Sequence, residues 1–320
     1  MDIDAVVTVL SAVVDGSVER DAPLGATTTY RVGGPAAVRV VAESIDDLVA
    51  IGRVIAAHRA PVVVTGRGSN LLVADAGFDG VVVTAGEGLA TVDVEGTTVR
   101  AGGAALLPVV ARRTAAAGLT GFEWAVGVPG TIGGGVRMNA GGHGSDVAAT
   151  LVGVRVVDLR TGEDGRMPAA ALDLGFRRSA LVASQMVAEV ELRLEQGDRV
   201  AAEAEIAEIV RWRRENQPGG ANAGSVFRNP LPDSSGRLLD EAGAKGLRVG
   251  SAEISTKHAN FIQVDEGGTA ADVAALMARA RSLVLERTGV DLHAETHFLG
   301  FPADVAEAAG AIRIDAGAES

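Results

Sequence analysis

The segment from Gly127 to Gly144 is the most glycine-dense in the chain, and it constrains the fold more than any other stretch. Glycine loses more freedom on ordering than any other residue, so a segment this rich in it needs a compensating reason. Two reasons fit: the backbone passes close to a flat or phosphorylated ligand, or it crosses a core too crowded for a Cβ. A second glycine turn, Gly66-Arg-Gly-Ser-Asn-Leu-Leu72, follows directly on the buried-type strand Pro61–Thr65. Successive N–H groups in such a turn make an anion-binding concavity. It is not a Walker A loop, since no Gly-Lys-Ser/Thr follows. It is not a dinucleotide fingerprint either, because Leu71 stands where a third glycine is required. The plain alternative is a tight turn in which Ser69 and Asn70 bond to the backbone.

The rest of the chain supplies two or three cores around these turns. Residues 1–15 read as a short amphipathic helix. Ala37–Val41 reads as a strand, and Ser44 caps a helix over Ile45–His58 whose Leu48, Ile51, Val54 and Ile55 share one face. From Gly80 to Leu194 the pattern changes to short strands at Val81–Val83, Thr97–Ala101, Val152–Asp158 and Met186–Leu194, around one helix at Leu107–Ala117. That spacing favours an α+β arrangement over a doubly wound sheet. A polar connecting helix over Ala201–Glu215 turns Ile206, Ile209 and Val210 inward. Thr269 starts a helix buried through Val273, Leu276, Ala280, Leu283 and Val284, and Gly289 ends it. Val290–Leu299 reads as a strand with Asp291, His293, Glu295 and His297 on its polar face. Beyond Gly300 the chain reads as a frayed tail. The expected division is 1–84, 85–197, 198–300 and a tail of 301–320.

Composition removes several classes of function. With no cysteine, zinc-thiolate sites, iron–sulfur clusters, disulfides and a thiol nucleophile are all excluded. A net charge of −12 without a basic cluster argues against nucleic acid or an anionic membrane as partner. The acidic start lacks a signal-peptide pattern and no apolar run suits a bilayer span, so the cytoplasm is the expected location. An anionic ligand then has to be held locally, by backbone N–H groups and a few arginines.

Three further places carry chemistry-bearing side chains. Gly175-Phe-Arg-Arg-Ser179 sets two arginines at a turn, where solvated surface groups are the ordinary outcome. Gly224-Ser-Val-Phe-Arg-Asn-Pro230 presents a serine, but there is no Gly-x-Ser-x-Gly elbow, so a turn or cap role competes. His293, Glu295 and His297 form a polar row that suits either solvent or a metal ion.

In order along the chain, Thr29-Tyr-Arg-Val-Gly-Gly-Pro-Ala36, Gly66–Leu72, Gly127-Val-Pro-Gly-Thr-Ile-Gly-Gly-Gly135 with Met138-Asn-Ala-Gly141, Phe176-Arg-Arg-Ser179, Gly224–Pro230, Lys257-His-Ala-Asn-Phe261 and Leu292-His-Ala-Glu295 closely resemble the UDP-N-acetylenolpyruvoylglucosamine reductases, also called UDP-N-acetylmuramate dehydrogenases. The resemblance runs from about Leu24 to Gly300. It implies a three-domain α+β flavoprotein: two domains hold FAD in a vanillyl-alcohol-oxidase-like (PCMH-type) fold, and a C-terminal α+β domain binds substrate. It assigns Gly66, Arg67, Gly68, Ser69, Asn70, Leu71, Gly127, Pro129, Gly130, Thr131, Ile132, Gly133, Gly134, Asn139, Ala140 and Gly141 to FAD. Arg228, Asn229 and His258 fall to the substrate, Arg177, Ser225 and Glu295 to catalysis, and no metal is implied.

By the same resemblance, NADPH reduces the flavin, and hydride then passes to the enolpyruvyl methylene carbon of a UDP-sugar in peptidoglycan synthesis. Arg177 stabilises the enolate-like charge, and Ser225 protonates the carbanion. The chain departs from the family pattern in places. Phe176 stands where tyrosine is common, and Arg228 replaces a usual lysine. Tyr30 is the only tyrosine, which fits the shorter subgroup that lacks a substrate-covering tyrosine loop. An FAD-dependent oxidase of the same fold, a silent binding protein and, more remotely, a zinc hydrolase are the competing readings.

Overall fold

The computed structural model describes residues 2–316. The first unit begins with α1 (Ile3–Val13), β1 (Val18–Ala22), β2 (Ala36–Ala42), α2 (Ile45–His58), β3 (Val62–Val64), β4 (Leu71–Val73) and β5 (Phe78–Ala85). β2, β5 and β3 run parallel, with β1 antiparallel on the edge. Helix α2 starts where expected because Ser44 Oγ accepts from Asp47 N, and two aspartates sit in its first turn. Its Leu48, Ile51 and Ile55 pack on β2 and β5 in one core.

The second unit is a five-stranded antiparallel sheet. Along the chain come β6 (Val92–Glu95), β7 (Thr98–Gly102), α3 (Leu107–Ala116), α4 (Ile132–Arg137), β8 (Leu151–Asp158), β9 (Glu163–Pro168), β10 (Gln185–Arg193) and α5 (Arg199–Asn216). The strand order is β9-β8-β10-β7-β6. The glycine segment therefore contains a helical turn, α4, capped by Thr131. On α5 the buried residues are Ala202, Ile206 and Ile209, whereas Val210, expected inward, is 42% exposed. The i, i+4, i+7 stripe that packs leaves it rotated off the contact face.

The third unit contains α6 (Ser235–Glu241), β11 (Arg248–Val249), β12 (Ala252–Ile254), β13 (Ile262–Val264) and α7 (Ala270–Thr288). It continues through β14 (His297–Leu299), α8 (Ala303–Ala308) and β15 (Ile312–Arg313). Helix α7 has the expected bounds, from the Thr269 cap to Gly289 in the left-handed region. The Val290–Leu299 strand is much shorter than its alternation suggests. Only His297–Leu299 is ladder-paired, in parallel with β4, and the preceding stretch makes a single bridge between Ala294 and Phe227. The in–out alternation survives without a continuous ladder because burial, not pairing, drives it.

The expected frayed tail is a second correction. Residues 301–316 fold back as α8 and β15, and β15 pairs with β14. Phe301, Ala306 and Ala309 are buried in the C-terminal core, and Phe301 lies 4.6 Å from Phe298 between ring centroids. An Ala/Asp/Glu-rich composition hid a helix that faces the core only through Val305 and Ala306. Residues 317–320 of that tail, and Met1 of the first helix, lie outside the described residues. Tyr30 is also fully buried in this core, so it covers nothing. Phe301→Ala should cost about 3 kcal/mol of stability, the usual loss for a buried phenylalanine. A urea midpoint unchanged from that of the parent protein would return residues 301–316 to the status of an appendix.

Candidate active site

The three units meet around one large cavity of about 1610 Å³. That exceeds the roughly 300–1,000 Å³ of a pocket for one small ligand, so two sizeable molecules can lie side by side. Its floor is made by the two glycine segments, which are tied together where Ser69 Oγ donates to the Pro129 carbonyl at 3.2 Å. The first segment is joined to the third unit where Asn70 Nδ2 donates to the Glu295 carbonyl at 3.0 Å.

The N–H groups of Gly66, Arg67, Gly68 and Ser69 find no protein acceptor among the described residues. They line the cavity as a run of open donors, the concavity expected of an anion-binding turn. The second segment divides by position. A Cβ on Gly133 would stand 2.9 Å from the Gly103 carbonyl oxygen and 3.1 Å from that of Val187, so this glycine serves close packing. A Cβ on Gly134 would meet only Thr131 Oγ1, at 3.5 Å, and otherwise point into the cavity. The crowding reading holds at Gly133, and at Gly134 the backbone has a free face that a ligand could approach.

Not every residue expected at the floor reaches it. Gly127 is buried against Ile209 and Arg213 of α5, and Ile132 is fully buried in the second core. Asn139, 3% exposed, spends its carboxamide on structure. It donates to Asp146 Oδ2 and the Gly175 carbonyl, and accepts from Ala148 N. The remaining expected floor residues, from Gly66 to Leu71 and including Pro129, Gly130, Thr131, Ala140 and Gly141, all line the cavity.

The side wall carries the polar centre. Arg177 occupies the left-handed region (φ 56°) in a turn where Gly175 and Arg178 exchange backbone hydrogen bonds. A non-glycine residue there is strained, and the strain aims its side chain inward. Arg177 Nε donates to Glu295 Oε1 at 2.5 Å, and its Nη2 donates to the Gly141 carbonyl at 3.1 Å. Nη1 faces the Asn139 carbonyl at 3.5 Å. Of the two arginines, Arg178 is the surface group, paired with exposed Asp173. The bland reading of this turn holds for only one of them.

Ser225 and Glu295 come together through backbone pairing. Glu295 N donates to the Val226 carbonyl at 2.7 Å, and Phe227 bridges Ala294. Asn260 fixes this strand from behind, with its Oδ1 accepting from Phe227 N and its Nδ2 donating to the Phe227 carbonyl. It lies in the Lys257–Phe261 signature, but nothing in a single sequence marks it as the residue that positions Ser225. The Ser225 hydroxyl has no hydrogen-bond partner among the described residues and opens on the cavity. Asn229 and His258 line it as well. Arg228 does not, and instead faces a separate cavity of about 380 Å³ with His293.

The polar row is thereby split. His293 faces the small cavity, while Glu295 and His297 face the large one. Among the described residues no group of three or more His, Asp or Glu is placed to hold a metal ion.

The wall is basic although the chain is acidic. Arg137 and Arg213 line the cavity without an acidic partner among the described residues, and burial lowers the pKa of each. Burial also raises the Glu295 carboxyl above the ordinary glutamate range, outweighing the attraction of Arg177 and Arg228. His297 is pushed down to about 4, first by burial and then by Arg137 and Arg228, and its Nε2 is buried without a partner. Arg137 has no signal in the sequence because its neighbours come from distant segments, and His297, read there as part of a polar row for solvent or a metal, is instead a buried wall residue.

The His297 shift has a sign that can be checked. An unfolded histidine binds a proton near pH 6.5, whereas the folded one resists until about pH 4. Stability is therefore full above pH 6.5 and falls as pH drops towards 4, by up to about 3 kcal/mol at 1.36 kcal/mol per unit. His297→Gln should flatten that part of the stability profile. Parallel urea-midpoint curves for the two proteins between pH 7 and 4 would refute the assignment.

Comparisons with known proteins agree with this geometry. A family model described as an FAD binding domain matches residues 35–164. One described as the UDP-N-acetylenolpyruvoylglucosamine reductase C-terminal domain matches residues 216–299. The chain is 38% identical over 291 residues to the UDP-N-acetylenolpyruvoylglucosamine reductase of Bacillus subtilis, covering 89% of this chain and 95% of that protein. It is 39% identical over 297 residues to the Rubrobacter xylanophilus protein of that name, covering 90% of this chain and 99% of the relative. The crystal structure of the Thermus caldophilus UDP-N-acetylenolpyruvylglucosamine reductase superimposes with a TM-score of 0.77 at 36% identity, over 88% of this chain and 99% of that one. Relatedness at this level over nearly the whole length of each partner settles the kinship: the chain belongs to the UDP-N-acetylenolpyruvoylglucosamine reductase family.

Proposed function

We propose that this protein reduces the enolpyruvyl ether of UDP-N-acetylglucosamine to UDP-N-acetylmuramate in peptidoglycan synthesis, using FAD and NADPH. The observation that carries the reading is the Arg177–Glu295 contact beside Ser225, on the wall of a cavity whose floor is lined with open backbone donors. The floor fits the flavin nucleotide. The free N–H groups of Gly66 to Ser69 suit a pyrophosphate, and the open side of Gly134 leaves room for a ring against the backbone. When bound and reduced by NADPH, FAD supplies the hydride that the enolpyruvyl methylene carbon receives.

The protein's own residues then manage the charge. Arg177 keeps one N–H on each terminal nitrogen after its contacts with Glu295, Asn139 and Gly141, and these suit the carboxylate of the enolpyruvyl group. As negative charge grows on the neighbouring carbon, the part-buried guanidinium stabilises it. Ser225 gives its hydroxyl proton to that carbon, which completes the lactyl ether, and the alkoxide regains a proton from water. A serine is a weak acid, but a carbanion is a strong enough base to take its proton. Glu295 holds Arg177 in place, and its raised pKa makes it readier than an ordinary glutamate to hold a proton.

Two experiments test this reading. Ser225→Ala should leave reduction of the flavin by NADPH close to the parent rate and slow its reoxidation by UDP-N-acetylglucosamine enolpyruvate on the order of 10²–10⁴-fold. Anaerobic stopped-flow absorbance separates the two halves, and equal losses in both would remove Ser225 from the proton step. Gly134→Val should fold normally, since its side chain enters open space, yet be purified with several-fold less flavin per chain. Gly133→Ala, pressed against two carbonyl oxygens, should lower thermal stability instead. A yellow, flavin-saturated Gly134→Val protein would rule out this floor as the flavin site.

A further inference from the structure

Two aromatic rings that the proposed chemistry does not use stand at the edge of the large cavity. Trp212 lies on α5 and is 45% exposed. His143 is at the tip of the small hairpin that pairs Gly141–Gly142 with Ser145–Asp146, and its backbone is left-handed at φ 51°. The two come from different parts of the chain yet meet edge to face, with ring centroids 5.3 Å apart and planes at 87°. Aromatic residues are only 3% of this chain, and the other tryptophan, Trp124, is buried in the second core. An indole left open on a cavity wall and braced by a second ring presents a flat apolar face to whatever enters. Its N–H donates to no acceptor among the described residues.

Charge gives this face a direction. Arg213, the next residue, lines the same cavity without an acidic partner among the described residues. Beside His143, Glu205 is close enough for the two to interact electrostatically, and Glu123 and Glu208 stand near Glu205. An anion is therefore drawn towards Arg213 and repelled from the His143 side, where only a neutral ring is welcome. The hairpin is also tied to the polar centre, since the Gly141 carbonyl accepts from Arg177.

We propose that Trp212 and His143 form a stacking platform for the base of a nucleoside diphosphate, whose phosphates lie on Arg213. This deepens the functional reading above and rests on it, because both the UDP-sugar and NADPH carry a nucleoside diphosphate. Stacking of a base on an aromatic side chain is worth about 1–3 kcal/mol, so removing the indole should weaken binding by about tenfold or more.

The test uses the FAD-loaded enzyme and titration calorimetry with UDP, uridine and NADP⁺ as separate probes. Trp212→Ala should weaken UDP and uridine alike by about tenfold, and Trp212→Phe should restore most of the loss. Arg213→Gln should weaken UDP while leaving uridine unchanged. If Trp212→Ala weakens NADP⁺ and leaves UDP intact, the platform stands and its base is adenine. If no probe shifts by more than twofold, with an unchanged melting temperature, the platform is overturned. Turnover of the enolpyruvyl substrate is then measured on the parent protein. Retained turnover leaves the functional reading standing without the platform. UDP binding that depends on Trp212, in a protein that never turns over, overturns the functional reading alone.

Discussion

The site is held together by one guanidinium. Arg177 binds a carboxylate from the third unit and the carbonyl of Gly141 from the glycine segment, and it can do so only from a strained backbone. Arginine is the residue suited to this, because its planar fork meets several acceptors at fixed angles and stays charged. Removing it would leave Glu295 buried without its partner and the 139–141 carbonyls unmatched. The same contact that would bind a substrate carboxylate thus also sets the spacing between the units that surround it. Asn139 supports it at one remove, by fixing the turn from which Arg177 projects.

Glycine does two kinds of work here, and they alternate residue by residue. Gly25, Gly33, Gly103 and Gly133 are places where a Cβ would strike backbone atoms, so they let chain segments pass each other. Gly134 and Gly224 have open space on that side, so they give the cavity a backbone surface. Without the first set the second could not be placed. The turn at Gly66–Leu72 is anchored through the side chains of Ser69 and Asn70 to the two other parts of the wall, and the N–H groups of Gly66 to Ser69 stay free.

Much of this was legible in the sequence because it is local. Ser44 and Thr269 cap helices by chemistry confined to three residues, and the hydrophobic stripe of α2 follows from its period alone. The glycine loops, Arg177, Ser225 and Glu295 were legible through the order of their signatures. What escaped depends on contacts between distant residues. Asn260 reads as one more polar residue until Phe227 is seen against it, and Arg137 looks like a surface arginine until the units close over it. Val290–Leu299 carries a strand's alternation but has a neighbour to pair with over only a few residues. The tail beyond Gly300 reads as frayed because one phenylalanine and a few small apolar side chains, Ala306 and Ala309 among them, bury it, too few to register in composition.

The unpaired arginines connect stability to function. A desolvated guanidinium without a carboxylate is unfavourable, and a chain with an excess of acids had every opportunity to supply one. Arg137 and Arg213 instead face open space, and Arg137 helps keep the nearby His297 neutral. An anionic ligand relieves each of these costs when it binds, and a ligand that binds only the folded state stabilises it in proportion to the logarithm of its concentration. The cavity is therefore a place where the fold is kept less stable than its composition allows, and the unmet positive charge is what lets a phosphorylated molecule, rather than the protein's own acids, complete it.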